Sequence, residues 1–155
     1  MMPIDVTVTD SAWDVLGDPD PICHAAFKAA QDALPSAADG HVSILFGTDA
    51  EIADLNRRLR DKEGPTNVLS FPAHASAAGW AGDIALAWGV VSAEAATGGL
   101  ALGDHVRHLL IHGFLHLHGY DHQDDDEAEA MEAIERRALK ALGVADPYAD
   151  RGRSA

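Results

Sequence analysis

The sequence predicts an α+β fold, a single domain over residues 1–155 with a small mixed β-sheet packed against several helices. Three observations carry this. Short alternating or β-branched runs mix irregularly with stretches of helical pattern. No internal repeat appears, and no linker divides the chain. The 155 residues are enough for about one hydrophobic core.

Taken in order, residues 3–9 alternate Ile4, Val6 and Val8 with polar neighbours, the pattern of a half-buried strand. Pro21 is expected to open a helix through Leu34, its missing N–H harmless in a first turn. His41 to Phe46 is a short β-branched run and a second strand. Thr48 and Glu51 have the spacing of a capping box, which predicts a helix from Asp49 to Arg60. Gly64-Pro65 breaks the chain, and Asn67 to Phe71 reads as a strand stopped by Pro72. Ala73 to Ala81 is small and reads as a surface loop. Gly82-Asp83 leads into a strand over Ile84 to Trp88, and Ser92 to Ala96 is a short helix. After Gly103 a helix runs to His118, with Gly119 suited to a left-handed stop. The last helix starts near Asp124. Acids fill its first turns and Arg136, Arg137 and Lys140 its last, each matching the helix dipole. Residues 146–155 are expected to fray.

Composition narrows the function classes. A lone cysteine, Cys23, allows no intrachain disulfide and suits a reducing compartment. The N-terminus lacks the basic start and apolar run of a signal peptide. No stretch approaches the roughly 18 apolar residues of a membrane span, so a cytoplasmic protein without a membrane partner is expected. The net charge of −14 opposes a general nucleic-acid coat. The charges are segregated, however. Seven acids crowd residues 124–135, while Arg57, Arg58, Arg60 and Lys62 form a local basic patch.

Six of the nine histidines lie between residues 105 and 122. On a helix, His112 and His116 are separated by about 40° in angle and about 6 Å along the axis, so both can reach one ion. Gly119 lets the chain turn, and His122 can return as a third ligand. Three nitrogens leave one tetrahedral position open, as in catalytic zinc sites, whose coordinated water becomes acidic near neutral pH. The site would sit at the end of a central helix. His108 is about 12 Å along the axis from His116, His105 is about 10 Å from His112, and His118 points away. These three, with the isolated His24, His41 and His74, read as ordinary helix-face or partly buried histidines.

The spacing HxxxHxxGxxH is shared with metzincin proteases, which place a general-base glutamate after the first histidine. Here that residue is Gly113, which argues against peptide hydrolysis. The string from His112 to His122, HGFLHLHGYDH, resembles instead the signature of the YbeY-type endoribonucleases. A second segment agrees: Leu55-Asn56, Arg60 and Pro65-Thr66-Asn67-Val68-Leu69-Ser70-Phe71-Pro72. Gly82-Asp83-Ile84 is a third. The resemblance covers residues 45–143. It implies one zinc ion (three imidazoles also accept nickel or cobalt) on His112, His116 and His122, and a functional Arg60. It further implies cleavage of single-stranded RNA, maturation of the small-subunit rRNA 3′ end, ribosome quality control, and the small ribosomal subunit and its factors as partners, with no DNA.

Chemistry is compatible with Arg60 in that role, because a guanidinium can hold phosphate bidentately where charge develops. Taken alone, Arg60 is a solvated helix end. Arg57, Arg58 and Lys62 are candidate RNA-backbone contacts or a solvated face. Thr66, Ser70 and Asp83 are expected to serve the fold. Asp121 suits either an orienting carboxylate or a turn. Two residues depart from the family pattern: Asn67 replaces its usual aspartate, and His118 its more common leucine. Two further readings remain open from the residues: another zinc hydrolase such as a metalloprotease, and a ribosome-assembly factor with a mainly structural metal.

Overall fold

The computed structural model describes residues 3–34, 40–72, 80–121 and 124–148. Strand β1 (Ile4–Val8) leads through a 3-10 turn, Ser11–Leu16, into α1 (Pro19–Ala33). Next come β2 (Gly40–Gly47), α2 (Asp49–Arg60), β3 (Val68–Pro72) and β4 (Trp80–Ala87). The chain then runs through α3 (Trp88–Gly98), α4 (Leu102–Leu117) and α5 (Asp125–Ala141). Among the described residues the strands form one four-stranded sheet in the order β1-β2-β4-β3. β1, β2 and β4 run parallel, and β3 pairs antiparallel with β4 at the edge. The sheet is mixed, as the sequence predicts.

Local chemistry explains the helix starts. In α2 the Thr48 N–H donates to Glu51 Oε1 at 2.9 Å and the Glu51 N–H to Thr48 Oγ1 at 3.1 Å, so both halves of the capping box form. α1 begins two residues before the expected Pro21, because Asp18 accepts from the Asp20 N–H at 3.1 Å and Pro19 takes the first turn. α3 starts at Trp88 rather than Ser92. Its first turn is stabilised from a distance, the Val90 N–H donating to Asp49 Oδ1 at 3.1 Å, which no local pattern announces. The 3-10 turn had no periodic signal in its six residues. It is pinned by buried Trp13, whose Nε1 donates to the Gly47 carbonyl at 3.0 Å.

The strand expected over Ile84 to Trp88 is longer at its start. β4 pairs with the whole of β2, from Gly40 opposite Trp80 to Gly47 opposite Ala87. Trp80 and Ala81, expected in a loop over 73–81, therefore belong to the sheet, while 73–79 lie outside the described residues. Pro72 ends β3 from within, tolerated because β3 is an edge strand.

The sheet is covered on both faces, following the period of two along each strand. Val42, Ile44, Phe46, Ile84 and Leu86 face α1, α4 and α5, where Phe27 stacks on Phe114 at 5.2 Å between centroids. Leu69, Ala85 and Ala87 face α2 and pack against Ile52. Val68 and Ser70 thus point toward α4. There the helix approaches the sheet closely at Gly113: a Cβ at that position would lie 2.9 Å from Ser70 Oγ and 3.2 and 3.3 Å from Ile84 carbons.

Helix propensity alone favours alanine at position 113 by about 1 kcal/mol. Overpacking a well-filled interface costs about 1–3 kcal/mol. Gly113→Ala is therefore expected to lower stability by roughly 1 kcal/mol in urea unfolding, and a stabilised variant would contradict this approach of α4 to β3.

Candidate metal centre

The last two turns of α4 present His112 and His116 on one face. Their Nε2 atoms are 3.0 Å apart, with the rings nearly perpendicular. The helix is stopped as expected. Gly119 adopts φ +90°, its N–H donates to the His116 carbonyl at 3.0 Å, and the Tyr120 N–H donates to the Leu115 carbonyl at 3.1 Å. That turn swings the Tyr120 carbonyl under His116, whose Nδ1 donates to it at 2.8 Å. His112 Nδ1 donates to Glu135 Oε1 at 2.8 Å.

These contacts fix the tautomers. A carbonyl and a carboxylate can only accept, so each Nδ1 carries the proton and, in the neutral rings, each Nε2 is an acceptor. Two acceptor nitrogens at 3.0 Å repel each other unless a cation lies between them or one ring is protonated. Two bonds of about 2.05 Å at a tetrahedral angle would set the nitrogens about 3.3 Å apart, close to the spacing found. The pair therefore fits a zinc-type ion. Among the described residues no third metal-binding side chain completes a cluster. The expected third ligand, His122, lies outside the described residues.

Glu135 is the functional residue that the sequence reading missed. It is only 1% exposed, set in the apolar stripe of α5 among Met131, Ile134, Ala138 and Leu139. Burial pushes its carboxyl up. Hydrogen bonds from His108 and His112, the charge of His112 and a hydrogen bond from Tyr148 outweigh that, bringing it down to about 2. The signal was present: a glutamate in line with buried apolar positions needs a buried partner. It was lost among the neighbouring exposed acids. Glu135 orients His112 and the Tyr120 carbonyl orients His116, and Asp121 lies exposed at the cleft rim.

A cleft of about 520 Å³ opens over the histidine pair. One wall is His112, His116 and the turn Gly119–Asp121. The other is Arg60 with Thr66, Asn67, Val68 and Ser70. Arg60 and the two histidines, distant in sequence, are thereby brought together. Arg60 is the last residue of α2, beyond which Asp61 turns left-handed at φ 54°. Buried Asn56 secures the turn, donating from Nδ2 to the Gly64 carbonyl at 2.9 Å. No ion pair among the described residues engages Arg60, whereas Arg57 and Arg58 share the carboxylate of Asp54, each at 2.9 Å. Thr66 and Ser70, expected to serve the fold, both line the cleft. Asp83 instead borders the opposite face of the sheet, beside Leu55 and Leu59.

Four of the other described histidines have polar partners as well. His105 Nε2 meets Glu94 at 2.9 Å, His108 Nε2 meets Glu135 at 2.8 Å, and His41 Nε2 meets Asp5 at 2.6 Å. His118 packs on the Phe114 ring and donates from Nδ1 to the Phe114 carbonyl at 3.0 Å, and burial lowers its pKa. His74 lies outside the described residues. Asn67 explains its own departure from aspartate. Its Nδ2 donates to both oxygens of Glu94, at 3.1 and 3.3 Å, where a carboxylate would face another carboxylate.

Comparison with known proteins points one way. A family model described as Endoribonuclease YbeY matches residues 18–143. A curated Maricaulis maris protein named Endoribonuclease YbeY is 55% identical over 148 residues, covering 96% of this chain and 92% of that protein. An Azorhizobium caulinodans protein of the same name is 47% identical, covering 96% and 97%. The solution structure of TM1509 from Thermotoga maritima aligns with a TM-score of 0.57 at 21% identity, over 93% of this chain and 97% of that one, and shares the fold.

The depressed Glu135 carboxyl has a consequence for stability. A folded-state pKa near 2, against an ordinary 4.5, contributes stability that is fully present above pH 4.5 and is lost as pH falls toward 2. In urea unfolding of metal-free protein, the advantage of wild type over Glu135→Gln is expected to shrink across that window. An advantage that grows on acidification would mean that burial, not hydrogen bonding, governs the carboxyl.

Proposed function

The chain belongs to the endoribonuclease YbeY family, and from that premise we propose that it is a metal-dependent endoribonuclease that cuts single-stranded RNA. Its substrate on this reading is rRNA, at the 3′ end of the small-subunit RNA, with the small ribosomal subunit and its factors as partners in the cytoplasm. A part in ribosome quality control belongs to the same proposal. One observation carries the chemistry: two imidazoles with converging Nε2 atoms face, across a single cleft, an arginine that no ion pair among the described residues engages.

His112, His116 and His122 would hold one zinc-type ion, with nickel or cobalt as chemically acceptable substitutes. The ion supplies Lewis-acid stabilisation of charge on the phosphoryl oxygens. The remaining work falls to this chain's own groups. Arg60 can take two non-bridging oxygens of the scissile phosphate and hold the charge that grows there. The Thr66 and Ser70 hydroxyls offer neutral donors along the same wall, suited to the neighbouring phosphate or ribose. Glu135 and the Tyr120 carbonyl keep the two imidazoles in one tautomer and orientation.

Gly113 disfavours the protease that shares the histidine spacing. Its position faces Ser70 and Ile84 at under 3.4 Å, so a general-base glutamate there would be driven into the sheet rather than into the cleft.

The test joins metal analysis to RNA cleavage. His116→Ala is expected to lose both bound metal and cleavage. Arg60→Ala should keep the metal yet cleave about 10²–10³-fold more slowly, the usual loss for one charge-stabilising donor. Full cleavage by metal-free wild type would overturn the reading.

A further inference from the structure

The C-terminal turn reaches back to the histidine pair. Glu135 Oε1 accepts from His112 Nδ1 at 2.8 Å, and Oε2 accepts from His108 Nε2 at 2.8 Å. Oε2 also accepts from the Tyr148 hydroxyl, which lies 3.2 Å from His108 Nε2. The Tyr148 ring meets the His108 ring edge-on, at 5.6 Å and 89°. From the outer side, Arg136 covers the Tyr148 ring at 5.4 Å and reaches Asp146 Oδ2 at 3.3 Å, while Asp146 Oδ1 accepts from the Tyr148 N–H at 2.8 Å. Adjacent residues of α5 therefore grip the turn twice, Glu135 by its hydroxyl and Arg136 by its ring face.

We propose that Tyr148 and His108 are positioning residues of the metal centre, holding the Glu135 carboxylate so that His112 keeps its Nε2 aimed at the ion. The inference rests on the metal reading given above. A carboxylate rotates easily about its last torsion, since that sp³–sp² bond has only broad wells. Two donors on Oε2 stop that rotation and leave Oε1 facing His112. His108 and His112 are one helical turn apart, so a single carboxylate can bridge them without distorting α4. Groups that anchor a ligand histidine commonly carry 10–100-fold in metal affinity. His108, excluded as a ligand by its distance along the helix, thus acts one layer behind the ligands.

The test titrates the full-length, metal-stripped chain with Co2+ and follows binding and the ligand-field spectrum. Tyr148→Phe removes one hydroxyl and keeps the ring against His108 and Arg136, and His108→Gln removes the second donor independently. Each is expected to weaken Co2+ affinity by about tenfold and to shift the spectrum, whatever loss of a donor to Glu135 does to the unfolding temperature of the metal-free protein. His116→Ala is the reference for loss of a ligand. If wild type binds Co2+ and His116→Ala does not, yet both variants match wild type in affinity and spectrum, the positioning proposal alone is overturned. If wild type binds no more Co2+ than His116→Ala, the metal reading falls and this proposal with it. Lowered unfolding temperature with unchanged affinity and spectrum would make the network purely structural, and would also overturn the proposal.

Discussion

The carboxylate of Glu135, almost wholly removed from water, constrains more of this structure than any other group. An ionised carboxyl in such a place is strongly unfavourable unless its oxygens are met by donors. The donors come from α4, as His108 and His112, and from the turn after α5, as Tyr148. Meeting that requirement sets how α5 lies along α4. It fixes the His112 tautomer and draws residues 146–148 back over the helix pair. The apolar contacts of α1, α4 and α5 would tolerate small slides of one helix along another. The hydrogen-bonded carboxylate does not.

A second constraint works at right angles to the first. α4 must come close enough to β3 for the cleft to have two walls, and Gly113 is what permits it. Its missing side chain lets Ser70 and Ile84 approach the helix backbone. The same approach leaves His112 and His116, on either side of position 113 in sequence, facing Thr66, Asn67 and Ser70. The residue that argues against a protease in the sequence is therefore the one that brings the sheet to the histidines. Asn56, buried and bonded to the Gly64 carbonyl, does the corresponding work for Arg60 by holding the turn after α2.

Features held by local rules were legible in the sequence. The start of α2 follows from a reciprocal cap within four residues, and the end of α4 from a glycine that accepts positive φ. The alternation in β1 and the mixed sheet also followed. What escaped was fixed by distant partners. α3 begins four residues early because Asp49, on α2, binds its first turn. β4 takes its length from β2. Glu135 could have been singled out as a charge in an apolar stripe, but its histidine partners are 23 and 27 residues away. The placement of Thr66 and Ser70 on a cleft wall depends on which strand face meets α4, and that register is not written in their own segment.

Charge illustrates why the site rather than the composition decides the chemistry. A chain of net charge −14 repels nucleic acid at long range, yet the Debye length at physiological salt is only about 8 Å. Within it, the basic cluster is smaller than the sequence suggests, because Asp54 occupies both Arg57 and Arg58. Exposed pairs of that kind are worth only about 0–1 kcal/mol, so an incoming phosphate can compete for those two arginines. Arg60, by contrast, is engaged by no ion pair among the described residues. Recognition at this cleft must accordingly be short-ranged, made of one guanidinium, two hydroxyls and the histidine pair.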